Sequence, residues 1–146
     1  MSEETGPHVF TLLVEGRAVS QGSKRHIGNG VMIEQNAKLK PWRSHVRAEA
    51  VRHWGLCMKS GPWTKPVMVD VTFFFARPKY HFLHGEVRKN APLFCVGRQD
   101  VDKLSRSILD SLAGVVYNND NQVVVLNAVK QYAPYESALI RVALVT

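Results

Sequence analysis

Two hydrophobic periods alternate along this 146-residue chain, and together they predict its elements. Residues 9–15 are apolar at Phe10, Leu12, Leu13 and Val14 and stop at Gly16, which predicts a strand apolar on both faces. Gly28-Asn29-Gly30 sits between His26-Ile27 and Val31-Met32-Ile33. Asn-Gly tolerates the positive φ angles of a tight turn, so a hairpin is expected there. Trp42, Val46, Ala50, Trp54 and Cys57 recur at helical spacing from 41 to about 59, with Pro41 suited to a first helical position. A buried strand is expected at 66–76, followed by an irregular stretch at 77–97 rich in Pro, His and basic residues. A second helix, from about 100 to 113, has Val101, Leu104, Ile108 and Leu112 as its buried stripe, and strands at 122–132 and 137–145 close the chain. The order β-β-β-α-β-α-β-β predicts an α+β fold: one two-layer domain over 1–146, two helices packed on one mixed sheet, with residues 1–7 flexible.

Composition agrees with a folded domain. Apolar residues make up 45% and charged residues 21%, and no apolar run reaches the roughly 18 residues of a membrane span, so no membrane association is expected. Met-Ser-Glu-Glu-Thr-Gly-Pro has neither a basic nor an apolar leader region, so no signal peptide is expected and the cytoplasm is the expected location. Cys57 and Cys95 lack metal-ligand spacing and read most simply as reduced thiols.

The formal net charge is +7, and its layout changes the picture. Lys38, Lys40, Arg43, Arg47, Arg52, Lys59 and Lys65 face only Glu49 in their stretch, and Arg77, Lys79, Arg88, Lys89 and Arg98 lead into four aspartates between 98 and 123. Carboxylates in one place repel unless a cation lies between them, and hard divalent ions take oxygen ligands. An acidic centre flanked by basic stretches points to metal-dependent chemistry on a polyanion such as DNA. Each feature also has a plainer explanation. Asp100 and Asp102 suit a helix cap and first turn, Asp120 lies in the turn-forming run Asn118-Asn119-Asp120-Asn121, and Asp102, Arg106 and Asp110 have i,i+4 spacing. Asp70, on an apolar strand, reads as structural.

Asp100-Val-Asp102-Lys-Leu-Ser-Arg106, Leu109-Asp110-Ser-Leu112, Gly114-Val and Asn119-Asp120-Asn-Gln-Val123 together resemble the signature region of RusA-type Holliday-junction resolvases. The loop Gly16-Arg-Ala-Val-Ser-Gln-Gly-Ser-Lys24-Arg25 is similar to that family's glycine-to-lysine loop, and Lys130 sits where many members carry a lysine. The resemblance spans about 8–145. It implies a homodimeric, Mg²⁺-dependent endonuclease, with Mn²⁺ as a substitute, that cuts four-way DNA junctions by paired symmetric nicks and is typically encoded by phages. It maps the metal-binding aspartates onto Asp100, Asp102 and Asp120 and the catalytic lysine onto Arg106. Lys103 stands where the family has asparagine and is a second candidate for the cationic role. Asn119 stands where it often has an acid, which puts that position in doubt as a ligand. Arginine keeps its proton, so Arg106 suits electrostatic stabilisation rather than proton transfer. Lys24, Arg25, Arg43, Arg47, Arg98 and Lys130 are the candidate DNA contacts. Two other readings stay open at this point: a non-catalytic basic DNA-binding protein, and a metal nuclease acting on flaps or other branched DNA.

Overall fold

Alternation along Val67–Ala76 sets the architecture. Val67, Val69, Val71, Phe73 and Phe75 are buried while the residues between them are only partly covered, so one face of this strand faces the core. In the computed structural model it is a central strand of a four-stranded sheet. The structure describes residues 7–22, 24–26, 28–30, 32–34, 36–97 and 99–145, with side chains left out at 24–26 and 32–34. The expectation for 1–7 falls almost wholly outside these residues.

The described elements are β1 (Val9–Glu15), β2 (Lys24–His26), β3 (Met32–Glu34), α1 (Leu39–Cys57), β4 (Val67–Ala76), β5 (Phe82–Leu83), β6 (Glu86–Val87), α2 (Val101–Leu112), β7 (Val123–Ala133) and β8 (Ser137–Leu144). The main sheet has the order β1-β8-β4-β7. β8 runs antiparallel to β1 and β4, whereas β4 and β7 are parallel. A parallel pair needs a crossover between its strands, and α2 supplies it. Both helices pack on the face that carries Phe10, Leu12, Val14, Ile140 and Val142, giving the expected two-layer α+β domain.

Several sequence expectations need correction. β2 and β3 form their own two-stranded sheet, as do β5 and β6, so the mixed sheet holds four strands. The Gly28-Asn29-Gly30 turn does join β2 to β3, with positive φ at all three residues. α1 begins at Leu39, making Pro41 its third helical residue; first-turn N–H groups have no intrahelical acceptor, so proline is tolerated there. Cys57 is exposed, and Leu39 joins the buried stripe instead. Leu13 points away from the core, so β1 buries one face only. Val101 is 38% exposed because it occupies the first turn of α2, beyond the part that packs on the sheet. The stretch 77–97 is more regular than expected, containing a 3₁₀ turn at Lys79–His81 and the β5–β6 hairpin.

Asp70 is structural, as its position suggested. It accepts hydrogen bonds from Asn127 Nδ2 at 2.7 Å and Arg141 Nη1 at 3.2 Å, its register neighbours on β7 and β8. On the opposite face, Trp54 meets Phe10 and Trp63 edge-on, each at 5.1 Å between ring centroids. Tyr117 is fully buried beneath α2 and donates to the Leu109 carbonyl at 2.7 Å.

Burial, reinforced by the carboxylates of Asp120 and Asp110, pushes the Tyr117 hydroxyl well above its ordinary value. The folded state therefore keeps this proton while the unfolded chain loses it near pH 10, so the stabilisation is complete below that pH and declines above it. Thermal melts from pH 9 to 11 should show a steeper loss of stability for the native protein than for Tyr117→Phe. At neutral pH that variant should be destabilised by about 1 kcal/mol through its missing hydrogen bond.

Candidate active site

The chain enters α2 through Gln99 and Asp100, and three contacts fix that entry. Lys130 Nζ on β7 donates to the Gln99 carbonyl at 2.5 Å, Ser20 N donates to the Gln99 side chain at 3.2 Å, and Leu104 N donates to the Asp100 carbonyl at 2.9 Å. Asp100 takes the N-cap position with extended backbone, φ −72 and ψ 133, yet its side chain makes no capping hydrogen bond. The cap explanation thus accounts for its backbone and leaves its carboxylate for other work. Lys103 Nζ lies 3.4 Å from Asp100 Oδ2. Asp102, in the first helical turn, is exposed and has no side-chain hydrogen-bond or ion-pair partner among the described residues. Partial positive charge at the helix N-terminus favours both acids where they stand.

The loop after β1 lies over this turn. Gln21 N donates to the Lys103 carbonyl at 3.0 Å, and Gln21 Nε2 donates to Asp110 Oδ2 at 2.5 Å. Asp110 is thereby held by Gln21, and neither i,i+4 pair with Arg106 forms among the described residues. Gly22 has φ +132, and a Cβ there would sit 3.1 Å from Arg106 Nη1 and 3.6 Å from Lys103 Cγ. Only glycine accepts that backbone cheaply while leaving room for the guanidinium. Lys103 and Arg106, three residues apart on α2, therefore both lie against the loop at Gly22.

Asp120 is held elsewhere. It starts the 3₁₀ turn Asp120–Gln122, in which Asn119 Oδ1 accepts from Asn121 N at 3.0 Å and Gln122 Oε1 accepts from Asn118 N and Asn119 N at 2.8 and 2.9 Å. Gln122 Nε2 donates to the Trp63 and Lys65 carbonyls, pinning the turn to the start of β4. The amide at Asn119 is used in capping. Asp120 is exposed and, among the described residues, its carboxylate has no hydrogen-bond or ion-pair partner. Its electrostatic neighbour is Tyr117, which Asp110 also influences, and the Tyr117 hydroxyl bonds Leu109 near the end of α2. Asp120 thus lies toward the C-terminal end of the helix whose N-terminal end carries Asp100 and Asp102. At 1.5 Å per residue, the eight residues from Asp102 to Asp110 alone span roughly 12 Å. Accordingly, among the described residues, no group of three or more His, Cys, Asp or Glu side chains is placed to hold a metal ion. Asp100 and Asp102 have the oxygen chemistry a hard divalent ion prefers, but the third donor is not drawn to them within one chain.

The candidate DNA contacts divide similarly. Arg43 lines a cleft of about 640 Å³ with Gln21, Asn36, Lys40 and Ser44, beside the loop that covers α2. Arg47 Nη1 donates to the Ala113 carbonyl at 2.8 Å, which gives it a part in closing the C-terminus of α2. Lys130 spends its ammonium on Gln99. Lys24 and Arg25 lie on β2 with their side chains outside the description, and Arg98 lies outside the described residues altogether. Sequence reasoning missed Gln21, Gln99 and Gln122 as positioning residues. Their signal is weak because a neutral amide makes its contribution only through partners distant in sequence.

A search of the curated proteins finds no match. The family model for endodeoxyribonuclease RusA matches residues 15–143, a span that runs from the end of β1, through the covering loop and both ends of α2, into β8. Nearly the whole fold and every described candidate residue fall within that match, and this chain belongs to the RusA endodeoxyribonuclease family.

Proposed function

We propose that this protein is a Mg²⁺-dependent, homodimeric resolvase that cuts four-way DNA junctions by paired symmetric nicks. The observation that carries the reading is the first turn of α2, where Asp100 and Asp102 present carboxylates not consumed by capping, beside Lys103 and Arg106. Asp100, Asp102 and Asp120 would hold the ion. When bound, Mg²⁺ supplies the Lewis-acid charge for hydrolysis of the phosphodiester. Arg106 keeps its positive charge and stabilises the negative charge that builds on the phosphate, with Lys103 adjacent. The basic residues of α1 and the covering loop orient the phosphate backbone.

Dimerisation bears on the separation of Asp120 from the other two acids. The free edge of β7 bonds to Cys95 and Leu93 only along its C-terminal half, through Lys130 and Tyr132. Its earlier half carries exposed Val124 (57%), Val125 and Leu126 on an edge with no backbone partner among the described residues. An apolar open edge is a template for strand pairing. Antiparallel pairing with the same edge of a second copy would bring the start of one β7 toward the later half of the other, where Lys130 holds the entry to α2. In this arrangement Asp120 of one copy joins Asp100 and Asp102 of the other.

Cleavage assays on a four-way junction, a flap and a duplex of shared sequence, with and without Mg²⁺, test the proposal. Junction-selective, metal-dependent paired nicks are expected; preferential flap cutting would replace the resolvase reading with that of a flap nuclease. Asp102→Asn should abolish cleavage, keep junction binding, and reduce the rise in Tm that Mg²⁺ gives the native protein. Normal cutting by this variant would remove Asp102 from the site. Asp102→Asn and Asp120→Asn should each be inactive alone, but mixed dimers of the two should regain one intact site and nick one strand. Failure to regain nicking in verified mixed dimers would reject the shared site. Arg106→Ala should lower the rate on the order of 10²–10³-fold with junction affinity largely kept, while Arg106→Lys retains substantial activity. Single-turnover rates and equilibrium binding measure the two effects separately.

A further inference from the structure

The stretch between β4 and α2 is long for a connection, and long connections in compact domains are commonly functional. Its backbone is firmly tied. Arg77 Nη1 donates to the Pro92 carbonyl at 2.7 Å, Arg88 N and Nε donate to the carbonyls of His81 and Tyr80 at 2.8 and 3.0 Å, and Cys95 N and Leu93 O bond to the edge of β7. The β5–β6 hairpin closes on His84-Gly85, both at positive φ as a two-residue turn of this kind requires. Apolar side chains nevertheless stay in solvent on this ordered frame, including Tyr80 at 73% and Val96 at 91% exposure.

Tyr80 is braced from behind. Its ring meets His81 edge-on at 4.7 Å, His81 is buried and meets Tyr132 edge-on at 4.8 Å, and the Arg77 guanidinium lies 5.3 Å from the Tyr132 ring centre. The exposed ring is thus held by a stack of rings rooted in the sheet. Beside it opens a cleft of about 430 Å³ lined by Arg17, Pro78, Tyr80, Cys95, Gln99 and Tyr132. Gln99 on its wall directly precedes Asp100, so the cleft adjoins the chain that enters the candidate active site. Arg77, Lys79, Arg88 and Lys89 flank Tyr80 in sequence, Arg88 bonding its main-chain carbonyl, and Glu86 is the one acid between 77 and 97, a charge balance that suits a polyanion.

We infer that this cleft receives an unpaired nucleobase of the DNA strand at the active site, stacked on Tyr80. Base stacking on an aromatic ring accepts any base, and flanking cations follow the backbone, the combination used for single-stranded nucleic acid. A base unpaired at a branch point is the substrate feature that a paired duplex lacks. This inference rests on DNA being the substrate but not on the junction being the preferred form.

Binding is measured without metal to a short single strand carrying one 2-aminopurine, to a four-way junction with that base at the branch, and to a fully paired duplex. Tyr80→Ala should weaken single-strand and junction binding on the order of 10-fold and abolish the 2-aminopurine fluorescence change. Tyr80→Phe should preserve both, and duplex affinity should be unchanged in either variant. Wild-type single-strand affinity in Tyr80→Ala, or an equal loss on duplex, overturns the stacking role. Tyr80→Lys, with its fold checked by thermal melting, should lose the fluorescence change while keeping charge-driven affinity; a retained change in that variant also overturns it. Junction selectivity is scored on cleavage by the unaltered protein, so its failure leaves the single-strand result standing.

Discussion

Parallel pairing between β4 and β7 is the constraint on which the rest of the structure depends. The chain must travel back along the sheet before β7 can start beside β4, and α2 makes that return. This single requirement puts the N-terminus of the helix near the far end of the strands and its C-terminus near their beginning. Asp100 and Asp102 fall at one end, and Asp120, just before β7, falls toward the other. The buried stripe of Leu104, Ile108 and Leu112 fixes the helix rotation on the sheet, which directs Lys103 and Arg106 toward the covering loop.

The local electrostatics follow from the same placement. A helix start tolerates acids, and Lys103 offsets part of the charge of Asp100. The covering loop uses main-chain and amide hydrogen bonds to hold its position, so the cations beneath it remain unpaired with Asp110. Neutral amides at Gln21, Gln99 and Gln122 therefore position the charged residues without cancelling their charge.

Periodicity made the main elements legible because each strand or helix buries a single face. β1 occupies the range its apolar run suggested, and the Asn-Gly hairpin forms where its turn residues place it. Leu13, Cys57 and Val101 were misplaced since hydrophobicity alone does not say which positions lie beyond the packed face. The pairing of β2 with β3 in a separate sheet, and the order of hydrogen bonds in the 77–97 stretch, depend on long-range partners that no local pattern encodes. At the site, residue types and family spacing singled out the acids and cations. Their division between the two ends of α2 became visible only with the crossover in place.

Lys130 ties two parts of the molecule together by a hydrogen bond. Its backbone belongs to the edge strand of the sheet, its carbonyl accepts from Cys95, and its ammonium grips the carbonyl immediately before Asp100. The connection behaves as a short strut between an outer strand and the first turn of the helix. Any sliding of that strand against β4 is passed on as a displacement of the first acid, so the stiffness of the sheet edge sets the positional tolerance of the carboxylate.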